Sequence, residues 1–141
     1  MKYKTKKLFS AFSLYTSSLL SGILMGLTVA PFNVWFLAWI ALAPLWVLIV
    51  NSAQRKSPPF LLALAWGIGY HGLALSWITG IHPMTWMGVP WLASLGIALF
   101  CWTFITLWGA ALVAVWAIAM RTISSQNGLL AFSLAQPFGA D

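Results

Sequence analysis

Acidic side chains are almost absent: one aspartate, Asp141, closes a chain of 141 residues, and there is no glutamate. Paired-carboxylate acid–base chemistry therefore has no place within this sequence. One cysteine, Cys101, excludes an internal disulfide, and no cysteine–histidine spacing suits a metal, so no cofactor is expected. Cys101 lies in an apolar run, which favours a small packing residue over a reactive thiolate. Charge of either sign is scarce at 6% of residues, against roughly 25% in soluble domains. What fills the gap is apolar: 62% of residues are hydrophobic, mean hydropathy is +0.92, and there are ten tryptophans. A water-soluble fold of this composition would leave much apolar surface exposed, so lipid is the expected solvent for most of the chain.

The net charge of +6 does not point to nucleic acid. Lys2, Lys4, Lys6 and Lys7 sit at the start, Arg55 and Lys56 in one linker, and Arg121 after the last long apolar run. A nucleic-acid groove needs a continuous basic surface, whereas these charges are islands between membrane-length segments. They read instead as topology signals that attract anionic lipid and resist translocation. With the N-terminus cytoplasmic, all seven cations fall on the inner side and the two outer loops carry none.

The expected class is an all-α integral membrane protein with about four transmembrane helices. Residues 1–7 form a basic leader. The first span, 8–30, carries Ser18, Gly22 and Gly26 on one face, a small-residue stripe that admits a neighbouring helix closely. A signal peptide ending near Thr28-Val29-Ala30 is the competing reading of this segment. Ala30-Pro31-Phe32-Asn33 makes a tight turn into a second span, 34–50, in which Pro44 should kink the helix. Such a kink requires a neighbour to satisfy the freed carbonyl. Asn51–Pro59 reads as the cytoplasmic connection, since Pro58 and Pro59 forbid helix until the third span begins. That span, 60–80, carries Ala65, Gly69, Gly72 and Ser76 as a second stripe. The fourth run, 91–120, repeats the spacing with Thr106, Ala110 and Ala114, and its length of about 45 Å requires tilt or protrusion. Residues 121–141 form a short cytoplasmic tail whose apolar part, Leu129–Ala135, is too short to span.

Candidate substrate- or lipid-binding residues are His71, mid-way along the third span, and Trp77, His82 and Trp86 around the outer loop 81–90. An ionisable group within lipid is a functional candidate. A neutral histidine bonded to a neighbouring helix is the structural alternative. The tryptophans equally suit an interfacial belt. No catalytic residue and no metal ligand is assigned.

At Ala30–Trp46, APFNVWFLAWIALAPLW, the sequence resembles the start of bacterial apolipoprotein N-acyltransferases, where a small residue, Pro, Phe and a polar residue precede a Trp-bearing second helix. Ala65–Ile78, AWGIGYHGLALSWI, is similar to the family's glycine- and aromatic-rich third helix. The resemblance covers about residues 15–120. It implies a multi-pass location in the bacterial cytoplasmic (inner) membrane, with phospholipid as acyl donor and a lipoprotein as acceptor. In that family a periplasmic nitrilase-like domain carries a Glu-Lys-Cys triad. Its cysteine takes the acyl chain as a thioester and passes it to the α-amine of a lipoprotein's diacylglyceryl-cysteine.

Here the sequence departs from the family. There is no nitrilase-like stretch and no glutamate, every lysine lies on the expected cytoplasmic side, and Cys101 falls in a helix. The expectation is a membrane portion, cut short by truncation, frameshift or gene splitting and inactive alone, with a separate catalytic polypeptide as a candidate partner. Two alternatives stay open: a small membrane transport or binding protein using His71, and a scaffold that docks through its glycine stripes.

Overall fold

The computed structural model describes residues 2–55 and 58–126, with side chains placed for 12–49 and 58–122. Five α-helices follow in chain order: α1 (Lys2–Gly26), α2 (Ala38–Ala41), α3 (Ala43–Arg55), α4 (Pro59–Ala74) and α5 (Trp91–Gln126). Short 3-10 segments occupy Trp35–Leu37, Ser76–Ile81 and Thr85–Met87. Among the described residues there is no strand, so the class is all-α. Lys56 and the tail from residue 127 onward, including Asp141, lie outside the described residues.

Helix boundaries differ from the sequence expectation where polarity and helix formation part company. α3 runs through Asn51 and Ser52 to Arg55, because Ala, Gln and Arg are good helix formers and polarity marks solvent rather than an end. α5 likewise continues past Met120 to Gln126. No proline interrupts it, and Pro90 immediately precedes its first residue, where a missing N–H costs nothing. The segment expected as one third span is α-helical only to Ala74. Thr79 Oγ1 then donates to the Ser76 carbonyl at 2.7 Å, the local side-chain competition that favours a tighter turn.

The second apolar segment is broken rather than kinked. Helix stops at Ala41, and α3 restarts with Pro44 in its first turn, where its lack of an N–H is harmless. At the break, Ser21 Oγ of α1 donates to the Ala41 carbonyl at 2.6 Å. A neighbouring helix thus satisfies a carbonyl at the break, although the one that Pro44 itself would leave without a donor, four residues back, is that of Ile40. Trp66 Nε1 of α4 donates to the same Ser21 oxygen at 3.1 Å, so one hydroxyl ties three helices together.

α4 is the middle helix, packed along α1 on one side and α5 on the other. On the α1 side, Ser18 Oγ donates to the Leu62 carbonyl at 2.6 Å. A Cβ on Gly22 would collide with the Trp66 carbonyl, and one on Gly69 would lie 2.5 Å from the Leu19 carbonyl oxygen. On the α5 side, a Cβ on Gly67 would stand 2.6 Å from the Ala110 Cα. Trp102 Nε1 donates to the Gly72 carbonyl at 3.0 Å. The stripe expected on α4 is therefore divided: Gly69 meets α1 and Gly72 meets α5.

α5 inverts the pattern of a water-soluble helix. Its buried row is Ser94, Ala98, Thr106, Ala110, Ala114 and Ala117, and its exposed row includes Phe100, Phe104, Trp108, Leu112 and Val115. The core gathers Leu45, Ile49, Ala63, Trp66, Ala114 and Ala117 from α3, α4 and α5. Among the described residues, α5 alone, over Trp91–Thr122, is sufficient by length and composition to cross a membrane; the apolar helical stretches Phe12–Gly26, Trp35–Ile49 and Pro59–Ala74 are shorter.

Candidate functional site

The connection from α4 to α5 is ordered by its own chemistry rather than by length. Gly88 takes a left-handed φ of 74°, a conformation in which a Cβ would be strained, and closes the Thr85–Met87 turn. Ser94, in the first turn of α5 and fully buried, then pins the loop from below. Its Oγ accepts the Met84 N–H at 2.8 Å and lies 3.0 Å from His82 Nδ1. The His82 ring also meets Trp91 edge-on, with centroids 5.0 Å apart.

These contacts hold open a cleft of about 430 Å³ walled by Ile81, His82, Pro83, Met84, Trp86 and Met87. Of the four sequence candidates, the structure brings His82 and Trp86 together here. Trp77 is outside the lining and 64% exposed on the Ser76–Ile81 segment. His71 is separate from them on α4. Its Nδ1 donates to the Gly67 carbonyl at 3.0 Å, one turn back in the same helix, and its ring lies over Gly109 of α5. A Cβ on Gly109 would come within 2.5 Å of that ring. The absent side chain on α5 makes room for the imidazole, which is a packing arrangement.

Sequence reasoning missed Ser94, Met84 and Met87. A serine four residues after Pro90, at the start of an apolar run, was the available signal. A second cleft, of about 450 Å³ and lined by Leu42, Leu45, Trp66, Leu112, Val113 and Trp116, was also missed. It opens beside the α2–α3 break, and nothing in a one-dimensional pattern brings those residues together. Cys101 is half-buried and free. Among the described residues no three of His, Cys, Asp or Glu converge, so none of them forms a metal-binding group.

Backbone-close helix packing and a large outward apolar surface define the class, an all-helical module. The family follows from comparison with known proteins. The profile of the apolipoprotein N-acyltransferase N-terminal domain matches residues 21–137. The chain is 60% identical over 109 residues to the apolipoprotein N-acyltransferase of Nostoc sp., covering 75% of this chain and 22% of that one. It is 51% identical over 106 residues to that of Synechocystis sp. (68% and 20%), and 36% identical over 102 residues to that of Gloeobacter violaceus (72% and 19%). No solved structure matches. The chain belongs to the apolipoprotein N-acyltransferase family, and it spans about a fifth of the length of these curated relatives.

Proposed function

We propose that this chain is the N-terminal membrane portion of an apolipoprotein N-acyltransferase and transfers no acyl group by itself. The observation that carries the reading is the family match across residues 21–137. In this reading α1, the broken α2–α3 pair, α4 and α5 make four passes of the bacterial inner membrane with the N-terminus cytoplasmic. Support comes from the apolar surface: Trp39, Ile40, Phe100 and Trp108 are all more than 60% exposed, which water would oppose. The short spans are no obstacle, since tilt, broken helices and local bilayer adjustment absorb mismatch.

The reaction served is transfer of a phospholipid acyl chain to the N-terminal amine of a lipoprotein's diacylglyceryl-cysteine. The residues that perform it, a Glu, a Lys and a Cys by resemblance, are supplied outside this sequence. The scaffold alternative loses its main support, because the glycine stripes are consumed between α1, α4 and α5 and are not free for a larger partner. The transport alternative is weakened too, since His71 is packed against Gly109 and no carboxylate accompanies it.

The test is complementation. Residues 1–141 expressed in a bacterium depleted of its own N-acyltransferase are expected to insert and to leave lipoproteins without the third acyl chain. Fusing or co-expressing the remainder of the Nostoc enzyme should restore it. Full N-acylation by residues 1–141 alone would refute the claim that the chemistry lies elsewhere.

A further inference from the structure

The hydroxyl of Ser94 settles the tautomer of His82. A fully buried hydroxyl must place its proton on an acceptor. Its oxygen already accepts from Met84 N–H at 2.8 Å, and its one acceptor among the described residues is His82 Nδ1, at 3.0 Å. Nδ1 is therefore the unprotonated nitrogen, and the neutral ring carries its proton on Nε2. The bonds run in one direction, from Met84 N–H to the Ser94 oxygen and from the Ser94 hydroxyl to the histidine. That order exists only while the ring is neutral. An imidazolium is a donor at both nitrogens, so its Nδ1–H would point at a hydroxyl that already receives Met84. The Ser94 proton would then have no acceptor, and a buried donor left unpaired destabilises the arrangement around it.

Nothing nearby offsets the new charge. No Lys, Arg, Asp or Glu occurs between Lys56 and Arg121. The elements around the ring, Ser76–Ile81, Thr85–Met87 and the first turn of α5, carry no titratable side chain. Tyr70 and His71 on α4 and Cys101 on α5 are the titratable groups in the rest of that stretch, and none of them lines the cleft. We infer that His82 and Ser94 form a pH-operated latch on the loop 81–90, closed while the imidazole is neutral and released when it takes up a proton. Closed, the latch ties Met84 to the start of α5 and fixes the wall of the cleft from Pro83 to Met87. Released, it frees Met84 and that wall with it. Gly88 is the pivot: its φ is 74°, and nothing lies within 4 Å of its would-be Cβ, so the chain turns there without meeting a neighbour. The sign follows from the bond order. The loop is held at the upper end of the pH range and loosens as the pH falls from about 8 to about 5, where imidazoles titrate. Ser94 is the positioning residue, offering a proton that only a neutral ring accepts. The latch stands on these contacts and not on the acyltransferase reading; the membrane reading adds that the loop meets the pH of the outer side.

The test is nuclear magnetic resonance of the full chain in detergent micelles, titrated from about pH 8 to about pH 4. Isotope-labelled histidine reports the ring nitrogens, and amide hydrogen exchange, corrected for its intrinsic rate at each pH, reports Met84. At the upper end the ring shifts should be those of the Nε2–H tautomer. As they become those of the imidazolium, protection of the Met84 amide should fall about fivefold, the loss of one ordinary hydrogen bond. Protection at Ala110, in the middle of α5, should stay constant. His82→Asn puts a carbonyl acceptor near the place of Nδ1 with no proton to gain, and should keep Met84 protected across the whole range. Ser94→Ala should leave Met84 at the low level at every pH. An Nδ1–H tautomer at the upper end, a ring that stays neutral throughout, or Met84 protection that does not follow the ring shifts would overturn the latch. Each of these is read on the wild-type chain, so none depends on a variant folding. A fall in Met84 protection that persists in a folded His82→Asn would overturn it as well.

Discussion

Replacing one glycine by alanine should have opposite effects at two positions, and the contrast tests the packing directly. At Gly69 a Cβ would lie 2.5 Å from the Leu19 carbonyl oxygen, 3.0 Å from the Ile23 nitrogen and 3.3 Å from the Gly22 carbonyl carbon. All three are backbone atoms, so no rotamer change can relieve them. Ordinary contact begins near 3.4 Å, so α1 must retreat from α4 by about 0.9 Å. The Ser18–Leu62 hydrogen bond, at 2.6 Å, spans the same seam and would stretch to the limit of its range. Overpacking costs about 1–3 kcal/mol, and weakening one hydrogen bond adds about 1 kcal/mol. Alanine's helix preference returns about 1 kcal/mol. The net expectation for Gly69→Ala is a loss of about 1–3 kcal/mol. Gly96, on α5, has nothing within 4 Å of its would-be Cβ. There only the helix preference acts, so Gly96→Ala should be neutral or stabilising by up to about 1 kcal/mol. Reversible unfolding in mixed micelles, followed by helical circular dichroism and tryptophan emission, reads both. Equal effects at the two sites, or a stable Gly69→Ala, would refute backbone contact as the basis of the α1–α4 seam.

The polar groups inside the bundle give three more expectations. Ser21→Ala removes the partner of both Trp66 Nε1 and the Ala41 carbonyl, and should cost about 1–3 kcal/mol in the same unfolding assay, more than Ser18→Ala, which loses one bond. Thr106 Oγ1 is buried without a hydrogen-bond partner, so Thr106→Val, close in shape, should leave stability unchanged or raise it by about 1 kcal/mol. A loss of more than that would reveal an acceptor for the hydroxyl. His71→Gln should insert and fold normally, within about 1 kcal/mol of wild type, and should support N-acylation when joined to the rest of a family enzyme. A specific loss of acylation at normal membrane levels would make His71 a functional residue.

Much of this architecture is written in the spacing of small residues. Ser18, Gly22 and Gly26 fall on one helical face, and that face meets α4. Thr106, Ala110 and Ala114 do the same on α5. The periodicity survives because close helix approach leaves no alternative to small side chains. The break at Ala41 was legible as Pro44, but the identity of its partner was not, because Ser21 is 20 residues away and looks like one more serine in a serine-rich helix. The end of α3 lies beyond the expected one because the polar residues that follow Val50 mark solvent and still favour helix. His82 and Trp86 were visible as an unusual pair in an uncharged loop. Ser94, which orients the histidine, was hidden by an ordinary helix start.

The Ser21 node and the glycine seam have a consequence for entropy. Glycine and alanine have no side-chain rotamers to lose on burial, and serine has few, whereas a leucine seam would forfeit about 0.5–1 kcal/mol per residue. α1 and α4 therefore come together from residues that arrive already ordered, held by dispersion at backbone distance and by the Ser18–Leu62 and Trp66–Ser21 hydrogen bonds, at 2.6 and 3.1 Å. Neither force depends on releasing water from apolar surface. A seam of this kind should hold its strength in hydrocarbon and on cooling alike, where a seam driven by hydration would weaken.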